Sequence, residues 1–480
     1  MLEMNWSDKW RLGLHLMPPT GWLNDPNGLC QFQGVYHVFF QYSPDNPEGG
    51  RKCWGHYTST DLLEWQYAGI ALSPDAEFDR NGVYSGSAVV SEGEMYLFYT
   101  GNVKLEGDYN YITDGRQSNT VLTGSEDGLN FGEKKCLMTN EDYPDHLTCH
   151  IRDPKVVTGK SIGIEDDNFY MFLGARTKDD RGVVLVYKSP DLESWEHTNI
   201  LTGEKRFGYM WECPDAFMLG EKKILSVSPQ GVETRGIDYQ NVYQSGYFEL
   251  DGSFDGTYRL KNFREWDRGF DFYAPQTFLD EQGRRLLIGW IGMPDDQEQC
   301  NPTVKDGWQN ALTVPREVFL KDEKVMQYPA EELSKGGADS IETFCQMYYD
   351  EAVAEGIRPE VPFVQTMKET GWLQYGGDAS IEQFNFAGLG TTGGGVAGNS
   401  YPDVRTGIRA QIQHLKAYAT ADALTQECVD ERYEYVTKGS APYVEWLGQQ
   451  ENPEGYGWAT ADNYGYSIVD MISKLKQLGE

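Results

Sequence analysis

The sequence predicts a mostly β N-terminal part, built as a five-bladed β-propeller, followed by a small, mainly α domain. Three observations carry that expectation: short strand-like runs up to residue 335, a long-period repeat inside them, and a change to helical periodicity afterwards. The runs include VYHVFFQY (35–42), MYLFYTG (95–101), FYMFLGA (169–175) and RRLLIGWIG (284–292), separated by Gly, Asp, Asn and Pro. The motif S-x-D-L-x-x-W stands at STDLLEW (59–65) and SPDLESW (189–195), with a weaker relative, SEDGLNF, at 125–131. The serines lie 66 and 64 residues apart, the length of a four-stranded blade with long loops, and five such units fit into 335 residues. From residue 336 the pattern is helical. SIETFCQMYYDEAVAEG (340–356) sets Ile341, Phe344, Tyr348 and Ala352 on one face, and GIRAQIQHLKAYA (407–419) and YSIVDMISKLKQL (466–478) behave likewise. The expected domains are therefore 1–335 and 336–480, jointed near Lys335–Gly337.

Composition narrows the function. The chain has 480 residues, 41 Lys+Arg against 74 Asp+Glu, and a formal charge of −33. Such acidity excludes nucleic acid and anionic membrane as natural partners, since phosphate binding needs clustered Lys and Arg. There is no apolar run long enough to span a bilayer, and the start, MLEMNWSDKWRLGLHL, lacks the apolar stretch of a signal peptide, so a cytoplasmic protein is expected. The eight cysteines show no C-x-x-C spacing and the seven histidines no H-E-x-x-H, so no metal and no cofactor is expected.

Three carboxylates stand in unusual settings: Asp25 in WLNDPNG, Asp153 in IRDPKV and Glu212 in MWECPDAF. With VYSGSAV and DFYAPQTF they form a series, 25, 85, 153, 212 and 273, with steps of 60, 68, 59 and 61. That is one position per blade, and equivalent positions on innermost strands converge on the central channel. Carboxylates crowded there repel one another and raise at least one pKa, the arrangement glycoside hydrolysis uses for its nucleophile and its acid. Taken singly, N-D-P and R-D-P are ordinary Asp-capped turns; the shared phase favours a common site. Asp215 reads better as a structural hydrogen-bonding group than as a fourth acid. Trp22, Trp54 and Trp290 are either core residues or walls for a sugar.

WLNDPNG, FFQY, WGHYTSTDLLEW, YSGSA, RDPKV, WECPD, DFYAPQ and GWIGMP occur in that order. Together they closely resemble the invertase and sucrose-6-phosphate hydrolase family, glycoside hydrolase family 32, over about two thirds of the chain; GYMWECPD and IGWIGMPDD are most like its intracellular bacterial members. The resemblance implies a five-bladed propeller and a retaining β-fructofuranosidase acting on sucrose, sucrose 6-phosphate or a short fructan. It makes Asp25 the nucleophile, Glu212 the acid and base, and Asp153 the transition-state stabiliser. Asn24, Gln41, Trp54, Tyr84, Ser85, Arg152, Tyr273 and Trp290 would line the substrate subsites, with Arg152 helping to keep Asp153 ionised. A phosphate would need a basic rim group, for which Lys52, Arg51 and Arg176 are the side chains to consider. The family continues into a β-sandwich after VPRE (314–317); here that sandwich is expected to be absent.

The segment VPFVQTMKETGWLQYGGDASIEQFNFAGLG (361–390), followed by YPDVRTGIRAQIQHLKAY (401–418), resembles peptidoglycan-cleaving glucosaminidase domains, which are small lysozyme-like folds. That likeness makes Glu369 in KETGW a catalytic acid at a helix end, against the plain reading of a solvated helix terminus; Asp378 and Glu382 are weak candidates for a partner group. The second functional reading is thus an endo-β-N-acetylglucosaminidase with peptidoglycan as partner, extracellular, and with the propeller as a sugar-binding module.

Overall fold

The computed structural model describes residues 10–295, 301–334, 341–373, 375, 377, 379–391 and 394–477. The chain divides into two units, Met1–Ala330 and Glu331–Glu480. The division falls just before Lys335–Gly337, the joint read from the sequence, which lies outside the described residues.

The first unit is a ring of five antiparallel sheets. Blade one comprises Gly21–Phe32, Val35–Ser43, Cys53–Ser59 and Gln66–Leu72; blade two Val83–Ser91, Glu94–Lys104, Arg116–Ser125 and Lys135–Met138. Blade three is Leu147–Thr158, Phe169–Thr177, Gly182–Ser189 and Glu196–Leu201; blade four Met210–Leu219, Lys222–Gln230, Gly246–Gly252 and Tyr258–Leu260. Blade five is Tyr273–Leu279, Arg285–Ile291, Arg316–Lys321 and Lys324–Pro329. One short segment closes the ring. Ala311–Leu312 pairs with the second strand of blade five, while Trp308–Gln309 adds in parallel to Gly21–Trp22 of blade one. The segment thus ties blade five to blade one and covers the inner edge of blade one at Gly21–Trp22.

The sequence repeat marks the outer hairpin of a blade. In each copy the aspartate accepts from the serine hydroxyl and from two backbone N–H groups, Leu63 and Glu64 for Asp61, Glu193 and Ser194 for Asp191. The leucine after it adopts a left-handed φ, 63° at Leu62 and 67° at Leu192. The tryptophan closes the loop by donating to that leucine's carbonyl, Trp65 at 3.1 Å and Trp195 at 3.0 Å. SEDGLNF puts Gly128 at the left-handed position, which explains why it is the weaker match. Apolar strand faces fill the wedges between blades, as Phe98, Leu173 and Leu185 do between blades two and three and Phe172, Trp211 and Leu225 between three and four.

All five inner strands carry a β-bulge at one level. Pairing with the second strand skips between Leu23 and Pro26, Tyr84 and Gly86, Arg152 and Lys155, Glu212 and Asp215, and Tyr273 and Gln276. In three blades the bulge includes a non-glycine residue with positive φ: Asp153 at 62°, Cys213 at 46° and Ala274 at 49°. A bulge re-aims the side chains of a strand that would otherwise alternate between its two faces. Five at one height turn five residues toward one end of the channel.

Among its described residues the second unit holds four α-helices: α1 Ile341–Glu355, α2 Glu360–Glu369, α3 Val404–Ala419 and α4 Tyr464–Gln477. Asp403 caps α3 by accepting from Thr406 N–H at 2.8 Å, so the helix begins three residues before the periodic run read from the sequence. Phe344, Tyr348 and Ala352 of α1 pack on Ile408 and Ile412 of α3. Buried polar groups pair within the unit: Glu351 with Arg405 and Arg409, and Glu355 with Lys416. Among the described residues beyond Pro329 there is no strand, only isolated bridges, so helices stand where the resemblance would place a sandwich.

Candidate active site

The bulges place Asp25, Ser85, Asp153, Glu212 and Tyr273 around one cavity of about 440 Å³. Asp25 accepts from Ser85 Oγ at 2.5 Å and from Asn24 Nδ2 at 3.2 Å. Behind them, Trp22 Nε1 donates to Asn24 and Gln41 Nε2 donates to Ser85 Oγ. Asp153 is anchored twice, its own N–H donating to Thr100 Oγ1 and its Oδ2 accepting from Cys213 N–H at 2.9 Å. The Cys213 thiol lies 3.8 Å from Asp25 Oδ2 and 3.6 Å from Asp153 Oδ2, so one sulfur links residues 188 and 60 positions apart. Glu212 Oε2 accepts from Tyr273 OH at 2.7 Å and Gln230 Nε2 at 2.8 Å, while Arg152 Nε lies 3.4 Å from its Oε1.

Burial governs the charge state. It raises the Asp25 pKa, against the opposing hydrogen bonds of Ser85 and Asn24 and the charge of Lys52. Burial, with Glu212 beside it, pushes Asp153 up to about 7. Glu212 is likewise raised, first by burial, although Arg152 and Tyr273 act the other way. Near neutral pH the cluster therefore carries protons that free carboxyls would have lost, as an acid/base pair requires. Arg152 lowers the Asp153 pKa without overcoming burial, and its guanidinium sits against Glu212 and against neutral His150. Arg152 thus favours the ionised form of Asp153, as expected of it, but burial outweighs it.

Asn24, Gln41, Tyr84, Ser85, Arg152, Tyr273 and Trp290 all line the cavity, and so does Trp22. Trp54 does not. It is fully buried in the core between blades one and two, and it acts at one remove by donating to the Tyr84 carbonyl at 3.1 Å. Its indole is the large apolar filler of that wedge, which keeps it from any subsite. Asp215 has the structural part expected of it: fully buried, it accepts from Thr277 N–H and Oγ1 and pairs with Lys155, tying blades three, four and five. Of the basic candidates, Lys52 lines the cavity, with Nζ 5.1 Å from the Trp22 ring centre and burial lowering its pKa to about 8. Arg51 is not among the lining residues, and Arg176 is paired with Asp180.

Sequence reasoning missed Glu48, Gly49 and Gly50, Pro294 and Asp295, and the contacts made by Cys213 and Gln230. The first five come from two loops with no phase relation to the inner strands. Only proximity to FFQY and GWIGMP signalled them.

In the helical unit Glu369 stands exposed at the end of α2, where Tyr464 OH donates to Oε1, and Gln365 donates to that hydroxyl at 3.1 Å. Although the residue as a whole is exposed, desolvation of its carboxyl raises the pKa more than the Tyr464 hydrogen bond and Lys368 lower it. Asp378 and the Glu382 side chain lie outside the described residues. Among the described residues no group of His, Cys, Asp and Glu could hold a metal ion.

Residues 345–477 match the family described as mannosyl-glycoprotein endo-beta-N-acetylglucosaminidase. Residues 15–329 match the glycosyl hydrolases family 32 N-terminal domain. The sucrose-6-phosphate hydrolase of Bacillus subtilis (strain 168) is 45% identical over 336 residues, 68% of this chain and 66% of that protein. The raffinose invertase of Escherichia coli is 40% identical over 344 residues, 70% of this chain and 67% of that one. Among solved structures, sucrose-6-phosphate hydrolase from Lactobacillus gasseri superposes with TM-score 0.60 at 31% identity, covering 67% of this chain and 64% of that one. The GH32 beta-fructofuranosidase BmSUC1 of Bombyx mori gives TM-score 0.60 at 35% identity, covering 68% and 67%. The chain thus spans about two thirds of the length of the relatives it matches. With its five bladed sheets and its cluster of three carboxylates, the chain belongs to glycosyl hydrolase family 32.

Proposed function

We propose that residues 1–335 work as a retaining β-fructofuranosidase that releases fructose from sucrose or sucrose 6-phosphate. The observation that carries this reading is the meeting of Asp25, Asp153 and Glu212 at the bulges of three inner strands, around one cavity. Asp25 attacks the anomeric carbon of the fructosyl unit, and its bond to that carbon forms as the glycosidic C–O bond breaks. Glu212 gives its proton to the leaving oxygen. Tyr273 and Gln230 occupy Oε2, which leaves Oε1 to carry that proton. The glucosyl product departs, Glu212 takes a proton from water, and the hydroxide displaces Asp25 from the fructosyl ester. Asp153 accepts hydrogen bonds from fructose hydroxyls as charge develops at the ring.

The names of the relatives and the half-buried Lys52 lining the cavity together support a phosphorylated disaccharide as substrate. Phosphorylated sugars are held within cells, so the proposed compartment is the cytoplasm; no described helix is long and apolar enough to cross a membrane. The test is the initial rate of fructose release from sucrose and from sucrose 6-phosphate, with Asp25→Asn as control. Faster release from the phosphorylated sugar, lost in the control, supports the reading. Release that persists in Asp25→Asn removes it.

A second reading rests on Glu369. Its raised pKa, its place at a helix end and the match of residues 345–477 to the glucosaminidase family support cleavage of peptidoglycan by residues 336–480. A zymogram on cell-wall substrate with clearing that disappears in Glu369→Gln supports it; no clearing by the unaltered chain removes it.

A further inference from the structure

Glu212 faces the side of the cavity from which the second sugar must leave, since its proton goes to the leaving oxygen. Asp295 borders the same cavity, in the loop after blade five's GWIGMP strand, and is exposed at the mouth. It is a fixed group. Its φ is 57°, a left-handed conformation uncommon outside glycine, and its Oδ2 accepts from Tyr243 OH at 2.7 Å. Tyr243 is itself braced by Tyr209 OH at 3.3 Å, and its ring packs 6.1 Å from that of Tyr273. Neighbouring tyrosines thus hold two acidic side chains: Tyr273 holds Glu212 and Tyr243 holds Asp295. Asp295, like Asp25, is a carboxylate whose charge raises the Glu212 pKa, so Asp295 acts on the acid through space as well.

We propose that Asp295 is a binding residue for the leaving sugar, accepting hydroxyls of the glucosyl unit while Tyr243 positions it. Tyr243 engages one carboxylate oxygen, and an ionised carboxylate takes up to about four hydrogen bonds, so acceptor capacity faces the mouth. Strain at a non-glycine left-handed residue persists where the surroundings over-determine it, and such positions gather at ligand clamps. Binding on this side adds to transition-state stabilisation only while the second sugar is attached, so its loss shows as a selectivity change.

The inference rests on the fructosidase reading, and the experiment separates the two. Rates are measured for sucrose and for methyl β-D-fructofuranoside, whose leaving group has no sugar hydroxyls, with unaltered protein, Asp295→Ala, Asp295→Asn and Tyr243→Phe. Loss of a hydrogen bond to a charged acceptor predicts that the sucrose-to-methyl-fructoside ratio of kcat/KM falls about tenfold in Asp295→Ala, mainly through KM for sucrose. Asp295→Asn, which keeps an acceptor, recovers part of it. Tyr243→Phe lowers the ratio in the same direction by about threefold, and inhibition by free glucose weakens in step. Equal losses on both substrates, with unchanged glucose inhibition, overturn the assignment while the fructosidase reading stands. An unaltered protein that releases fructose from neither substrate removes both. Tyr243→Phe and glucose inhibition decide the matter if Asp295→Ala fails to fold.

Discussion

Glu212 in the propeller and Glu369 in the helical unit share a local design. Each has a raised pKa, each accepts from a tyrosine hydroxyl, and each region places a lysine over an aromatic ring: Lys52 over Trp22 and Lys368 over Tyr464. What differs is the company. Glu212 shares a walled cavity with Asp25, Asp153 and Arg152, which the strand bulges set in place. Glu369 stands exposed at a helix end, with Tyr464 and Lys368 as the groups that act on its charge. Ring symmetry brings distant positions to one axis, so a propeller can assemble an acid, a nucleophile and a stabiliser from three blades. A single helix end offers one acid.

The sharpest test of that contrast is Asp25→Asn. Removing the nucleophile while keeping its shape and the Ser85 contact is expected to lower fructose release by about 10⁴-fold, with the melting temperature and circular dichroism preserved. A variant that keeps more than a tenth of the activity would break the claim that the cluster is catalytic. Glu212→Gln comes next, with an expected loss of about 10³-fold on sucrose and much less on a fructoside whose leaving group needs no protonation. Equal losses on both substrates would show Glu212 to be a positioning group.

Asp153 tests the electrostatic side. An unfolded Asp ionises near 3.8, whereas the buried one ionises near 7, so between those values the folded state holds the extra proton. Stability therefore falls as pH rises from about 4 through 7, and Asp153→Asn, which cannot ionise, escapes that loss. The variant is expected to be inactive yet more stable above pH 7, by on the order of 2 kcal/mol or a few degrees in Tm, with the gain vanishing near pH 4. Melting curves at pH 4 and 8 check it. An equal gain at both values would show packing, and not charge, to be the cause.

The part of this that was legible in the sequence follows from periodicity. The blade count came from S-x-D-L-x-x-W because that string builds one outer hairpin, with aspartate, left-handed leucine and tryptophan each fixed by a backbone contact. The carboxylates were found by phase, since the bulges recur at one height. Loops carry no such phase, and Glu48 and Asp295 were invisible for that reason. Trp54 was misplaced because a motif resemblance fixes neighbourhood along the chain, while exposure depends on which face of the strand meets the next blade. The cap that begins α3 at Asp403 was missed because it precedes the first periodic residue.

The smallest expected effect concerns Lys52, the lysine that lines the propeller cavity. Burial lowers its pKa to about 8, so it is charged at neutral pH and loses its proton as pH rises past that value. If it holds the phosphate, Lys52→Met should reduce the preference for sucrose 6-phosphate over sucrose by about tenfold, the worth of one charge-assisted contact at a partly wet site. The unaltered protein should show the same decline in preference as pH rises through 8, while the variant should show a flat ratio. Parallel kcat/KM measurements on both sugars from pH 6 to pH 9 decide it. A decline that survives in Lys52→Met would have to come from another group and would remove Lys52 from phosphate recognition. A flat ratio in both proteins would mean that the mouth does not sense the phosphate, and would leave the crowded carboxylates and the leaving-sugar contacts as the determinants of substrate choice.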